Sequence, residues 1–182
     1  MGAPPVRDRA HEYVSPPSPS AIWVVDAPNV MRFGAPAQAQ GQARRPPLDV
    51  SQLRRACSAL RKKQPHAVIR IVVYQPDVQH LDAGTHQNAR GAQDWGHVRA
   101  AVNAVVVAPG GSNVDSFIIA HALDEQEAGH EVHILSNDLY RKEQQALGDS
   151  ARCRALRGMC HKYSMAEGVD LIVEPPELRD AA

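Results

Sequence analysis

Aromatic residues make up only 4% of the sequence, too few for a broad platform on which unpaired bases could stack. Net charge is missing as well. The 20 Lys and Arg balance the 20 Asp and Glu, so a polyanionic partner must be held by a local patch and not by a global field. No apolar run approaches the ~18 residues of a membrane span, and the N-terminal charges are not followed by the apolar core of a secretory signal. These absences imply an intracellular chain without a membrane partner: cytoplasmic in the simplest reading, with nucleus and mitochondrion as alternatives. Cysteine is also scarce. Cys57, Cys153 and Cys160 cannot pair completely and read as reduced thiols. A zinc site built from Cys153, Cys160 and His161 lacks a fourth ligand and the close Cys-x-x-Cys spacing.

What is present suits one domain with its own core, since 182 residues are too few for two comfortable ones. Pro4, Pro5, Pro16, Pro17 and Pro19 stand among charges and serines, so residues 1–20 read as a disordered tail. Residues 177–182 read as a second tail, leaving 21–176 as the domain. Gly34 to Pro47, with Arg44 and Arg45, reads as a long mobile loop of the kind that often shapes a binding site.

Within the domain, short apolar runs alternate with helical spacing. Ala21 to Val25, Val68 to Tyr74, Ala104 to Val107 and Val132 to Leu135 are predicted strands, with a last extended pair near Tyr163 to Met165 and Leu171 to Val173. Leu53, Ala56, Cys57 and Leu60 predict one helix; Val114, Ile118, Ile119, Ala122 and Leu123 predict another. Shorter helices are expected from about Gln93 to Val102 and from Tyr140 to Leu147. Strand and helix in this order imply an α/β fold, a mostly parallel sheet covered on both faces.

Ligands of such a sheet collect beyond the carboxyl ends of its strands. Asp26 directly follows the first strand, Asp138 follows the fourth, and Asp115 opens a helix after the turn at Pro109-Gly110-Gly111-Ser112. Singly, each acid reads more readily as a helix cap. Together at one rim, three carboxylates repel unless a proton or a cation relieves them, and a hard divalent ion suits oxygen ligands. Asn29 and Asn137 add amides beside two of these acids, although asparagine in a turn commonly bonds its own backbone.

Three segments carry a family resemblance. Val24-Val25-Asp26-Ala27-Pro28-Asn29-Val30 resembles the Asp-Gly-x-Asn-Val signature that opens NYN domains. This PIN-like branch includes the Regnase (MCPIP) endoribonucleases and, more distantly, protein-only RNase P. Val114-Asp115-Ser116-Phe117-Ile118 is similar to the Regnase Asp-Asp-x-Phe-Ile segment, and Ser136-Asn137-Asp138-Leu139-Tyr140-Arg141 to its Ser-Asn-Asp-x-Tyr-Arg motif. The resemblance implies a PIN-like, Rossmannoid three-layer sandwich. It also implies Mg²⁺ or Mn²⁺ on Asp26, Asp115 and Asp138 with support from Asn29, Ser136 and Asn137, and hydrolysis of RNA phosphodiesters by metal-activated water.

The sequence departs from the family at three positions. Val114 and Lys142 stand where Regnase has acids, and Ala27 stands where it has glycine. Loss of two carboxylates weakens a site whose affinity follows ligand charge and count. The alternative is therefore a degenerate PIN-like subunit that binds RNA or protein within an RNA-processing or ribonucleoprotein complex. A dinucleotide enzyme is disfavoured because Gly110-Gly111 lacks the G-x-G-x-x-G spacing.

The expected RNA contacts, to single strands or stem-loops, are Arg44, Arg45, Arg141 and Lys142, with Tyr140 and Trp95 as exposed stacking groups. Arg54, Arg55, Arg61 and Lys62 lie off the apolar stripe of their helix and read as a solvated face.

Overall fold

A computed structural model describes residues 21–33, 48–82, 89–165 and 171–176. Both expected tails lie outside the described residues. So does the loop that carries Arg44 and Arg45.

The apolar run Ile22-Trp23-Val24-Val25 forms most of β1 (Ile22–Asp26), which is buried on both faces as a central parallel strand must be. On one side β1 pairs in parallel with β2 (Val68–Tyr74), and on the other with β4 (Val132–Leu135). β3 (Ala104–Ala108) and β5 (Cys160–His161) extend the sheet to the order β3-β2-β1-β4-β5, all parallel. A separate antiparallel pair, β6 (Tyr163–Ser164) with β7 (Ile172–Val173), matches the last extended segments expected from the sequence.

Alternate strand residues feed two cores. Trp23, Val25, Ile69, Ile71 and Val73 point to one face, where α1 (Ala27–Met31), α2 (Val50–Lys63), α3 (Gln75–Asp82) and α4 (Ala89–Ala101) supply the covering side chains. Ile22, Val24, Val72, Val132 and Ile134 point to the other, covered by α5 (Val114–Glu127) and α7 (Ala151–Met159). The result is the expected three-layer α/β sandwich. Each fully buried leucine here, such as Leu53 or Leu156, contributes about 2 kcal/mol by leaving water.

The expected solvated face of α2 holds only in part: Lys62 is exposed, whereas Arg54, Arg55 and Arg61 are half-buried. Arg54 pairs with Asp94, and Arg61 donates to the carbonyls of Ala67 and Ala101 and to Asn103 Oδ1, fastening the helix to the starts of β2 and β3.

Candidate functional site

Strand register builds the floor of the site. Val25 lies opposite Leu135, so the next residues, Asp26 and Ser136, leave neighbouring strands side by side at the carboxyl rim. Asp26 is only 3% exposed. Its Oδ1 accepts the backbone N–H of Asn29 at 3.1 Å, capping α1, while Oδ2 accepts the hydroxyls of Ser136 at 2.8 Å and Tyr140 at 3.0 Å. Burial raises the carboxyl pKa. The bonds from Ser136, Asn29 and Tyr140 oppose that shift, and the nearby Asp138 adds to it.

Two amides stand on this floor with their orientation fixed. Asn29 Oδ1 accepts the backbone N–H of Asn137 at 2.9 Å and the hydroxyl of Tyr163 at 3.0 Å, and Asn137 Oδ1 accepts the backbone N–H of Tyr163 at 2.9 Å. A backbone N–H can only donate, so each amide must place its oxygen inward. The NH₂ end of each is left without a partner among the described residues.

Around them the acids are set by local turns. Asp138 Oδ1 accepts the backbone N–H of Tyr140 at 2.8 Å, and its own N–H donates to Ser136 Oγ at 3.0 Å. Tyr140 takes a left-handed backbone, φ 47°, the one non-glycine among the described residues to do so. That conformation costs about 1–2 kcal/mol, held in place by the ring's burial and its bond to Asp26. Asp115 lies in the first turn of α5, whose cap Asn113 accepts the Asp115 N–H at 3.0 Å and donates its amide to Glu143 at 3.2 Å. Partial burial pushes the Asp115 carboxyl up to about 6, with Asp26, Asp138 and Glu143 adding repulsion and Lys142 opposing it.

Asn29, Asp115, Asn137, Asp138, Lys142 and Glu143 line one open cavity of about 660 Å³, with Arg141 at its edge. Asp26 lies beneath this cavity, not in its wall. The structure thus brings together Asp26, Asn29, Asp115, Ser136, Asn137, Asp138, Arg141 and Lys142, whereas Arg44 and Arg45 lie outside the described residues. Glu143 and Tyr163 were not singled out from the sequence. Glu143 is legible in hindsight as the acid in the first turn of α6 (Arg141–Leu147), directly after the Asp138 turn.

Two expectations fail. Tyr140 is 1% exposed and spends its hydroxyl on Asp26, so it cannot stack on a base. Trp95 is also buried, donating its indole N–H to Asp82. In both cases a large ring gains more from a core than from water, and its one polar atom finds a partner there.

Among the described residues no three His, Cys, Asp or Glu side chains converge as a ready-made metal cage. The donor chemistry nevertheless fits a hard divalent cation. Asp115 and Asp138 line the same cavity, and the Asp115 carboxyl is raised first by burial and then by the charges of Asp26, Asp138 and Glu143.

No protein-family model matches the sequence, and no curated protein is significantly similar to it. Solved structures do match. Two structures of the nuclear protein-only RNase P 2 of Arabidopsis thaliana superpose with TM-scores of 0.59 and 0.60 at 18% identity. Each match covers 85% of this chain and 29% of the solved one, so the chain spans less than a third of those proteins. The likeness is one of fold, and the fold is PIN-like.

Proposed function

We propose that this PIN-like domain is a divalent-metal-dependent endoribonuclease of the Regnase type, hydrolysing single-stranded or stem-loop RNA inside the cell. The observation that carries the reading is the environment of Asp115. Its carboxyl is pushed up to about 6 by burial and by three flanking acids, in an open cavity that also holds two unspent amide donors. Such repulsion is relieved by a proton or a cation. Asp115 and Asp138 would hold Mg²⁺ or Mn²⁺, with Asp26 contributing negative charge from below. When bound, that ion supplies a nucleophile near neutral pH and positive charge on the phosphate.

The chain's own groups do the rest. The Asn29 and Asn137 amides donate to the phosphate's non-bridging oxygens, oriented by Tyr163 and by the backbone. Ser136 and Tyr140 fix Asp26 and the Asp138 turn, and Arg141 and Lys142 neutralise phosphates at the rim. The names of the structural neighbours, RNase P, support an RNA substrate.

A second reading is a degenerate PIN-like scaffold within an RNA-processing or ribonucleoprotein complex. Val114 and Lys142 favour it, since each stands where the Regnase motifs place an acid, and so does the lack of three converging ligands among the described residues. Incubating the protein and Asp138→Asn with stem-loop and single-stranded RNA, in Mn²⁺ and in EDTA, decides between them. The nuclease reading expects Mn²⁺-dependent cleavage by the parent and a loss of at least about 100-fold in the variant. Equal inactivity with RNA binding retained would establish the scaffold.

A further inference from the structure

Beside the acid cavity lies a smaller one of about 200 Å³, bounded by α6, α7 and the residues around β5. The two share Asp138, Leu139 and Arg141 as a common wall, so a chain leaving the first cavity over Arg141 enters the second. Gln144, Arg157 and Lys162 form much of the remaining lining. Three cations against one acid make it the electropositive neighbour of a cavity in which acids predominate.

The arginines here differ from seven of the other described ones. Arg54, Arg70, Arg99 and Arg152 are each paired with a carboxylate, and Arg32, Arg61 and Arg154 are bonded to backbone carbonyls. Arg141 and Arg157 have no carboxylate partner among the described residues. Arg157 is nevertheless anchored. Its Nε donates to Gln144 Oε1 at 3.0 Å, and the same Gln144 is fixed by donating Nε2 to the Leu139 carbonyl at 2.6 Å. A guanidinium held by its Nε keeps both Nη groups for an oxyanion, the two-pronged geometry that suits phosphate.

We propose that this second cavity is a backbone-phosphate subsite for an RNA strand. A phosphodiester flanking the one at the acids seats between Arg141, Arg157 and Lys162. The inference deepens the nuclease reading and rests on it for the strand's path. A strand is favoured over an isolated anion because Asp138 on the shared wall repels a small free anion, which has no further contacts to offset that cost. With Tyr140 and Trp95 buried, neither expected stacking group is available at the rim, so the grip is on the backbone and tolerant of sequence.

The test measures binding of the whole protein to a short fluorescent single-stranded RNA by anisotropy in EDTA, across a salt series. Arg157→Ala is expected to weaken binding about fivefold and to reduce the slope of log K against log salt by about 0.7, one single-strand phosphate contact. Arg157→Lys should fall between, keeping the charge but losing the Gln144 anchor. Arg152→Ala removes the same charge from the same helix, where the arginine is held by Glu127, and should leave affinity within about twofold.

The proposal is overturned if the parent does not bind RNA, if Arg157→Ala leaves the salt slope unchanged, or if Arg152→Ala costs as much as Arg157→Ala. Inorganic phosphate binding as tightly as the strand would reassign the cavity to a free anion and overturn it too. Because cleavage is not the readout, Arg157-dependent binding by a protein that never cuts would keep the subsite and remove only the nuclease reading. Cleavage with Arg157-insensitive binding would do the reverse.

Discussion

Replacing Asp115 by asparagine should stabilise the metal-free protein, contrary to the usual effect of mutating a functional residue. The Asp115 carboxyl rises from an ordinary 3.8 to about 6, so between those pH values the folded state binds more protons than the unfolded one. Stability therefore falls as pH rises through that window, and above it the protein carries a constant penalty. Two pH units correspond to roughly 3 kcal/mol as a ceiling. The side chain is half-buried in an open cavity, so solvent screening removes much of this. Asparagine also gives up the favourable placement of a negative charge in the first turn of α5, worth about 0.3–1 kcal/mol. A gain of about 1 kcal/mol remains at pH 7.5, or ~2–4 °C in melting temperature for a domain of this size.

Mn²⁺ should reverse the order. A ligand that binds only the folded state stabilises it by RT ln(1 + [L]/Kd), about 2.7 kcal/mol at one hundred times Kd, and the variant has lost one of the two carboxylates proposed to hold the ion. The assay is a pair of thermal melts for parent and Asp115→Asn, one in EDTA and one in millimolar Mn²⁺. A variant less stable than the parent in EDTA would refute the repulsion. An equal Mn²⁺ shift in both would refute the metal site.

Tyr140→Phe removes one of two hydroxyls on the buried Asp26 Oδ2 and leaves the ring in place, so urea denaturation should show a loss of about 1–2 kcal/mol with no change in the slope m. Burial pushes the Cys57 and Cys160 thiols up to about 12. Iodoacetamide at pH 7.5 should therefore leave both unmodified by mass spectrometry until denaturant is added.

The sheet was legible in the sequence because buried parallel strands are written as apolar runs, and β1, β2, β3 and β4 fall within a residue of where those runs place them. Other elements carry weaker signals. α1 is five residues long and begins directly after Asp26, so a strand-end acid hides a helix cap. α3 follows β2 without a turn and buries only Leu81, too little for a period to show. α7 buries Cys153, Leu156 and Met159 between Arg152, Arg154 and Arg157, and the arginines dominate the reading. β5 is two residues long and gains strand character only from pairing with β4.

At the site, the expected meeting of Asp26, Asp115 and Asp138 at one point is not seen among the described residues; the sharing of one cavity by Asp115, Asp138, Asn29 and Asn137 was legible, because strand ends and turn signals place them at one rim. The depth of Asp26 was not. It depends on Ser136 and Tyr140 arriving from the next strand, and on the left-handed turn at Tyr140 that swings the ring inward from a polar segment.

The charge of the cavity bears on how a metal would be held. Asp115, Asp138 and Glu143 face Arg141 and Lys142 there, leaving about one net negative charge, with Asp26 contributing only from beneath and already serving three donors. Divalent affinity follows ligand charge and count, so a site this close to neutrality holds its ion weakly on its own. A phosphodiester would add a negative charge and oxygen ligands to the same cavity, oriented by the two amides, while the basic rim offsets its repulsion from the acids. Metal and substrate would then each strengthen the other's binding by the same factor, as linkage requires. Under the proposed nuclease reading, Val114 and Lys142 would then not abolish the site but would leave one that takes up metal and RNA together.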